Sequence, residues 1–238
     1  MTLAKQSNMI LVLSKVQRAI RATEITCNEF LVKSLICGYI TMNVRTCFMV
    51  ISLLLAPSVA AMDESVFWQL LQDSVKESED YHSDTASILV DKLVELDKEA
   101  IIEFEQILRD KLIKAEDFIV MIPLQVIDSF IGEDAFLYYR CWLVSRGKEV
   151  YEKSFEDPDH LATVVDTDTE AEFSELLDVT TEAYSIKTGI DDEDETFPRD
   201  VAVMNGFDID DFSRKTKGEE WSEDDIPNLV PKLWAIFN

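Results

Sequence analysis

Beyond the first quarter of the chain, apolar residues recur at three- and four-residue steps, the spacing of one buried face of an α-helix. Asp63 and Asp97 stand directly before two such stripes and are predicted N-caps. Ser83 or Asp84 is the predicted cap of a helix between them. The third helix of this set is expected to run to about Ala115.

The middle of the domain contains two further helical patterns. Residues 119–131 are mostly apolar, and Pro123 suits the first turn of a buried helix that ends at Gly132, with a buried strand as the alternative. An aromatic-rich helix is predicted from Asp134 to Arg146. Gly147 then stands where a left-handed residue closes a helix.

The C-terminal part of the chain is less regular. A helix is predicted at Lys148–Phe155, and a long one at Thr169–Lys187 is closed by Gly189. Residues 191–217 are acidic and lack a clear apolar period, whereas Ser222–Asp225 matches a capping box before a last helix. The pattern predicts an all-α domain of about seven helices with an irregular acidic C-terminal region.

Charge divides the chain into two kinds of segment. Residues 1–61 contain six Lys and Arg against two Glu, so they carry +4, and residues 62–238 must carry −29 to reach the total of −25. Such a domain repels phosphate backbones and anionic lipid headgroups, so nucleic acid is not an expected partner. The carboxylates either form a solvated surface that keeps the domain soluble or match a basic protein partner.

A secretory signal is predicted ahead of the acidic domain. Residues 42–45 form a short basic start, and an apolar run follows from Cys47 to Ala56. Val59 and Ala61 supply the small residues that signal peptidase requires, so cleavage is expected before Met62 and the mature protein is expected to be exported, periplasmic or secreted.

The segment boundaries leave an alternative open. Residues 1–41 are atypical of a signal and are interpreted as a non-native or mis-called extension, with residues 42–61 as the signal peptide and residues 62–238 as the mature domain. Residues 46–61 span only 16 positions, too few for a membrane helix, so no stable span is expected in the mature protein. If translation instead begins at Met62, the protein is cytoplasmic.

Few residues suggest chemistry. The chain lacks phosphate-binding glycine loops and the common zinc-binding motifs, and both histidines lie beside predicted turns. Asp208, Asp210 and Asp211 lack the register of a calcium loop. Cys141 lies on an apolar helix and is predicted to be a small, packed hydrophobic side chain. No catalytic residue, metal site or cofactor is therefore predicted.

Two charged residues fall inside apolar stripes. Arg140 lies in the apolar arc of its helix, and Glu105 lies in that of the third helix. Because an unpaired buried ion costs several kcal/mol, the pattern predicts a Glu105–Arg140 ion pair that fixes helix register. The alternative is a ligand-binding cleft in which Arg140 holds a carboxylate or phosphate between Trp142 and Tyr184.

Several sequence blocks also carry a family resemblance. The run Asp-Ala-Phe-Leu-Tyr-Tyr-Arg-Cys-Trp-Leu-Val at 134–144, followed by Gly147 and Tyr151, resembles the bacterial family called domain of unknown function 4240. Other blocks agree in order: Met62-Asp63, Phe67-Trp68, Phe104-Glu105, Asp157-Pro158-Asp159, Ala183-Tyr184, Lys187-Thr188-Gly189, Trp221, Pro231, Leu233-Trp234 and Phe237. The resemblance spans about 177 residues and implies no activity.

The resemblance also bears on the start of the chain and on one turn. Many family members begin at the equivalent of Met62 without an export signal. They tend to have a glycine-rich turn before the Asp-x-Phe block, where this chain has Ile127–Gly132.

The first functional hypothesis is an acidic helical interaction module, of an immunity or regulatory kind, that binds a basic partner. The second is an enzyme or small-ligand binder that uses the cleft at Arg140, Trp142 and Tyr184. The sequence leaves the oligomeric state open.

Overall fold

A computed structural model describes residues 62–78, 83–129, 131–211 and 213–238. The predicted signal peptide, its cleavage site and the alternative starts before Met62 lie outside these residues. The described chain is mainly helical, so the predicted all-α fold is confirmed.

The helices follow one another through short connections. Their bounds are α1 Glu64–Glu77, α2 Ser83–Val94, α3 Lys98–Lys114, α4 Phe118–Ile127, α5 Glu133–Ser145, α6 Lys148–Glu156, α7 Val179–Thr188, α8 Pro198–Met204, α9 Ile226–Leu229 and α10 Pro231–Phe237. Short 3₁₀ helices occupy Pro158–Thr163, Ser174–Leu177 and Glu223–Asp225. None of the helices in the described ranges is both long and apolar enough to cross a membrane.

Aspartate side chains cap the first turns of α1 and α3. The Asp63 carboxylate accepts a hydrogen bond from the backbone N–H of Ser65 at 2.7 Å, and that of Asp97 accepts from Ala100 at 2.9 Å. Each bond satisfies a backbone donor that the first helical turn leaves without a partner. The predicted caps of α1 and α3 are therefore confirmed.

The prediction for α4 was wrong about where the helix begins and ends. Asp117 caps the helix through the N–H of Ile119 at 3.1 Å, so Pro123 lies in the helix interior rather than in its first turn. Ser129 adopts a positive φ of 58°, and the helix stops at Ile127, before Gly132. A proline removes one helical hydrogen bond, and the burial of half of the residues of α4 offsets that loss.

The prediction of one long helix at 169–187 was also wrong, because the first half of this segment is not α-helical. The hydroxyl of Thr169 accepts from the backbone N–H of Asp166 at 2.9 Å and donates to the Asp166 carboxylate at 2.9 Å. This local turn offers the backbone partners that compete with a helix. The α-helix starts only at Val179, and Gly189 closes it with φ of 72°, as predicted.

A helix that the apolar period did not reveal lies in the acidic segment. Pro198 occupies the first turn of α8, and Phe197 directly before it is buried. The fixed φ angle of proline suits a helix, and the backbone N–H that proline lacks would have no helical partner in the first turn. The capping box at Ser222–Asp225 is confirmed, but Val230 breaks the predicted last helix into α9 and α10.

Helix α3 lies at the centre of the fold. It packs against α1, α2, α5, α7 and α8. Its apolar stripe of Ile101, Phe104, Leu108 and Leu112 is buried against these neighbours. Burying a side chain of this size stabilises the fold by about 1.5–3 kcal/mol, so this stripe is a main contributor to the free energy of unfolding.

A second, smaller cluster attaches the C-terminal segment. Residues of α4 pack there against Ile226, Val230 and Leu233. The buried carboxylate of Asp159 accepts from the backbone N–H groups of Lys232 and Leu233, both at 2.9 Å. Asp159 thereby caps α10 from a distant part of the chain.

Gly147 supports a testable prediction about the joint between α5 and α6. It has φ of 93°, and an added Cβ would lie 2.7 Å from Cδ of Gln72. The Gln72 side chain donates to the carbonyl of Ser145 at 2.8 Å and would lose this bond on moving. We expect Gly147→Ala to lower the free energy of unfolding by about 2–3 kcal/mol, from backbone strain plus one lost hydrogen bond.

The matched control is Gly189→Ala, which also has a positive φ but no atom within 4 Å of the added Cβ. It should cost only the strain of about 1–2 kcal/mol. Urea unfolding of both variants measures the difference. Equal losses would show that the contact with Gln72 contributes nothing.

Candidate functional site

Arg140 is buried in α5, with only 5% of its surface exposed. Its Nη1 donates to the carbonyl of Leu112 at 2.8 Å, its Nε donates weakly to Phe136 at 3.4 Å, and its guanidinium lies 4.8 Å from the centre of the Phe136 ring. Glu116 is the nearby carboxylate, at 3.9 Å. Burial lowers the pKa of Arg140, Glu116 acts in the opposite direction, and Arg214 lowers it further.

The predicted Glu105–Arg140 ion pair was wrong, although both charges are buried as expected. Glu105 instead accepts from Nε of Arg109 at 2.5 Å, one helical turn along α3, and from the hydroxyl of Thr180 at 2.8 Å. Residues four apart lie side by side on a helix, so this partner needs no second helix. The Glu105–Arg109 spacing was the sequence signal that indicated it.

Trp142 and Tyr184 do not form a cleft with Arg140. Trp142 is buried, stacked 5.7 Å from Tyr139, with the guanidinium of Arg146 5.2 Å from its ring. Tyr184 is buried against Phe197 at 5.1 Å. These two predicted site residues are parts of the core, whereas Arg140 lines a cavity that contains neither of them in its walls.

That cavity has a volume of about 310 Å³, within the range of small-ligand sites. It lies between the first turns of α5, the α3–α4 connection and residues 209–216. Arg140, Glu116 and Arg214 line it, and Arg214 approaches Glu116 at 3.3 Å. Glu116 and Arg214 were not predicted from the sequence, because neither residue lies in a recognisable motif.

Two further reactive side chains, Cys141 and Tyr139, are packed inside the core. Cys141 is fully buried, and burial raises the pKa of its thiol, so the sequence interpretation of a packed side chain is confirmed. Tyr139 is also fully buried, and burial raises the pKa of its phenol. Within the described ranges, no three His, Cys, Asp or Glu side chains are grouped so as to hold a metal ion.

The buried Glu105–Arg109 pair generates a prediction about stability. We expect Arg109→Met to lower the free energy of unfolding by about 3–5 kcal/mol, because it leaves the Glu105 carboxylate buried without its cation. The double variant Glu105→Gln/Arg109→Met should recover much of that loss. Urea unfolding gives both values.

A matched control is available in α6, where Lys153 and Glu149 form an exposed pair with the same spacing at 2.6 Å. Lys153→Met should cost about 0.5 kcal/mol or less. A small loss for Arg109→Met, similar to this control, would contradict the importance of the buried pair.

The Tyr139 hydroxyl generates a second prediction, since it is buried and has no hydrogen-bond partner among the described residues. We expect Tyr139→Phe to leave stability unchanged or to raise it by about 1 kcal/mol, because an unsatisfied buried group is removed. Thermal unfolding measures this effect.

Tyr151→Phe is the corresponding control, because its hydroxyl donates to the carbonyl of Lys111 at 2.8 Å. This variant should lose about 1 kcal/mol. A clear loss of stability in Tyr139→Phe would mean that its hydroxyl has a polar partner in solution.

Comparison with known proteins gives one match. The model of the family described as Protein of unknown function (DUF4240) matches residues 62–186, which is more than half of the chain. The blocks near the C-terminus that resemble the family lie beyond the matched residues. No curated protein and no solved structure matches the chain. The chain therefore belongs to the DUF4240 family of proteins of unknown function.

Proposed function

We propose that the domain binds a protein partner with a basic surface through the acidic loop, defined as Asp191–Glu195, between α7 and α8. All five residues of the acidic loop are exposed. The nearest cations along the chain are engaged elsewhere: Lys187 donates to the carbonyl of Val94 at 3.0 Å, and Arg199 pairs with Asp178 at 2.9 Å. Among the described residues, no Lys or Arg forms an ion pair with these five carboxylates, and this exposed run carries the proposal.

Some other surface acids differ from the acidic loop, because Lys residues of the domain form ion pairs with them. Glu77 pairs with Lys92 at 2.9 Å, and Asp110 pairs with Lys114 at 2.6 Å. The acidic loop therefore presents a charge that the fold leaves to the solvent or to a partner.

The ends of the acidic loop are held by the fold. Ser185 donates to the carbonyl of Ile190 at 2.8 Å on one side, and Phe197 is buried on the other. Asp194 accepts from the backbone N–H and the hydroxyl of Thr196, and these bonds lower its pKa. A loop fixed at both ends loses less conformational entropy on binding than a free tail does.

Electrostatics favours a basic partner over other classes. Five adjacent carboxylates on a domain of charge −29 raise the local negative potential, which attracts cationic surfaces and repels nucleic acid and anionic lipid. Such attraction acts mainly on the rate of association and on partner choice, and it weakens as salt increases.

The test uses a variant with four neutral side chains, Asp191→Asn, Asp192→Asn, Glu193→Gln and Glu195→Gln, which keeps Asp194 and its turn. Surface ion pairs are worth about 0.2–1 kcal/mol each, so binding of the partner should weaken by about 1–4 kcal/mol. Quantitative affinity capture from the source cells identifies the partner. Titration calorimetry with the purified partner at low and high salt then measures the change.

A control variant changes the net charge equally at exposed acids outside the acidic loop: Glu170→Gln, Glu172→Gln, Glu219→Gln and Glu220→Gln. It should bind the partner nearly as the unmodified domain does. Equal weakening in both variants, or binding that salt does not change, would contradict a site at the acidic loop.

A further inference from the structure

Two arginines share one carboxylate beside the cavity. Arg140 approaches Glu116 at 3.9 Å, and Arg214 approaches the same oxygen, Oε2, at 3.3 Å. The three groups together carry a formal charge of +1, in a domain whose net charge is strongly negative. The cavity therefore has a cationic wall.

Besides approaching Glu116, each cation of this wall donates a hydrogen bond to a neutral backbone carbonyl. Nη1 of Arg140 donates to the carbonyl of Leu112, and Nη2 of Arg214 donates to that of Asp208. An arginine has five N–H groups, and a backbone carbonyl does not neutralise its charge. Arg140 is 5% exposed and Arg214 is half-buried, so an anionic group that reached them would form charge-assisted hydrogen bonds with little competition from water.

The outer part of the cavity has the opposite charge. Glu133, Asp134, Asp210 and Asp211 also line it, and all four are exposed, which places them on the solvent side. A polyanion approaching from solvent meets these carboxylates first and is repelled. A cationic group at the outer end of a ligand would instead be attracted.

The walls between the two charged regions include apolar side chains, among them Met121, Leu137 and Ile209. Such a surface suits a short methylene chain. The volume of about 310 Å³ is that of a site for a small molecule.

We propose that this cavity binds a small zwitterionic ligand of the basic amino-acid class. Its carboxylate binds Arg140 and Arg214, its methylene chain lies along the apolar wall, and its terminal cation faces the acidic residues at the mouth. The site uses other residues than the acidic loop, so it is independent of the proposed partner binding.

Titration calorimetry with matched probes tests this proposal. L-arginine and L-lysine should bind, whereas agmatine and cadaverine, which lack the carboxylate, should bind at least tenfold more weakly, as loss of a charge-assisted pair requires. Glutarate, which lacks a cation, should also bind at least tenfold more weakly than L-arginine. Absence of L-arginine and L-lysine binding at millimolar concentration overturns the proposal, and so does equal binding of agmatine.

Variants locate the site. Arg214→Gln should weaken L-arginine binding at least tenfold, whereas Arg199→Gln, an arginine outside the cavity, should leave it within about twofold. If Arg214→Gln proves unfolded, the triple variant Glu133→Gln/Asp134→Asn/Asp210→Asn provides the test at the mouth. It should weaken L-arginine binding and strengthen glutarate binding, because the repulsion of an anion is reduced.

These variants also separate this proposal from the preceding one. The four substitutions in the acidic loop should leave L-arginine binding within about twofold, even if they abolish partner binding. Unchanged L-arginine binding in folded Arg214→Gln, or in the triple variant, overturns the assignment to this cavity.

Discussion

The fold depends on the burial of charged groups on α3, because these groups bond to one another and to residues from several other parts of the chain. Lys111 donates to Glu64 of α1 at 2.8 Å, and its own carbonyl accepts from Tyr151 of α6. Glu105 and Arg109 pair within α3, and the hydroxyl of Thr180 in α7 donates a further hydrogen bond to Glu105. An apolar stripe alone would allow α3 to rotate or slide, whereas these bonds are satisfied in one arrangement.

The same helix explains why Arg140 can be buried without a close carboxylate. The carbonyl of Leu112 lies near the C-terminal end of α3, where the last carbonyls lack helical partners and the helix dipole is negative. A guanidinium at this end of α3 donates a hydrogen bond to a free carbonyl and is also stabilised by the negative end of the helix dipole. Glu116 and the ring of Phe136 add weaker contacts at 3.9 Å and 4.8 Å. The arrangement leaves the positive charge only partly compensated, and that remainder gives the neighbouring cavity its character.

The sequence predicted the parts of this structure that depend on local chemistry. Caps at Asp63 and Asp97 were correct because an N-cap needs only its own side chain and the next few N–H groups. Helical period also predicted that Glu105 and Arg140 are buried, since the period fixes the face on which a residue lies. It could not identify their partners, because the contact between two helices depends on their crossing geometry, which period does not contain. The cavity was beyond prediction for the same reason, since Arg214 reaches it from a segment with no repeating pattern.

The family match covers part of the proposed ligand cavity but none of the acidic loop. The match ends at residue 186, so it includes α3, α5, Glu116 and Arg140, whereas the acidic loop and Arg214 follow it. The matched residues therefore include most of the helical scaffold but not the acidic loop. For the cavity, the matched domain supplies the buried arginine and its carboxylate, and the C-terminal segment supplies the second arginine. Because Lys217 bonds through its backbone to Glu116 and Phe118, this segment is held against the start of α4. The geometry of the cavity thus depends on how a matched and an unmatched part of the chain pack together, and changes in the segment would alter the cavity without disturbing the core around α3.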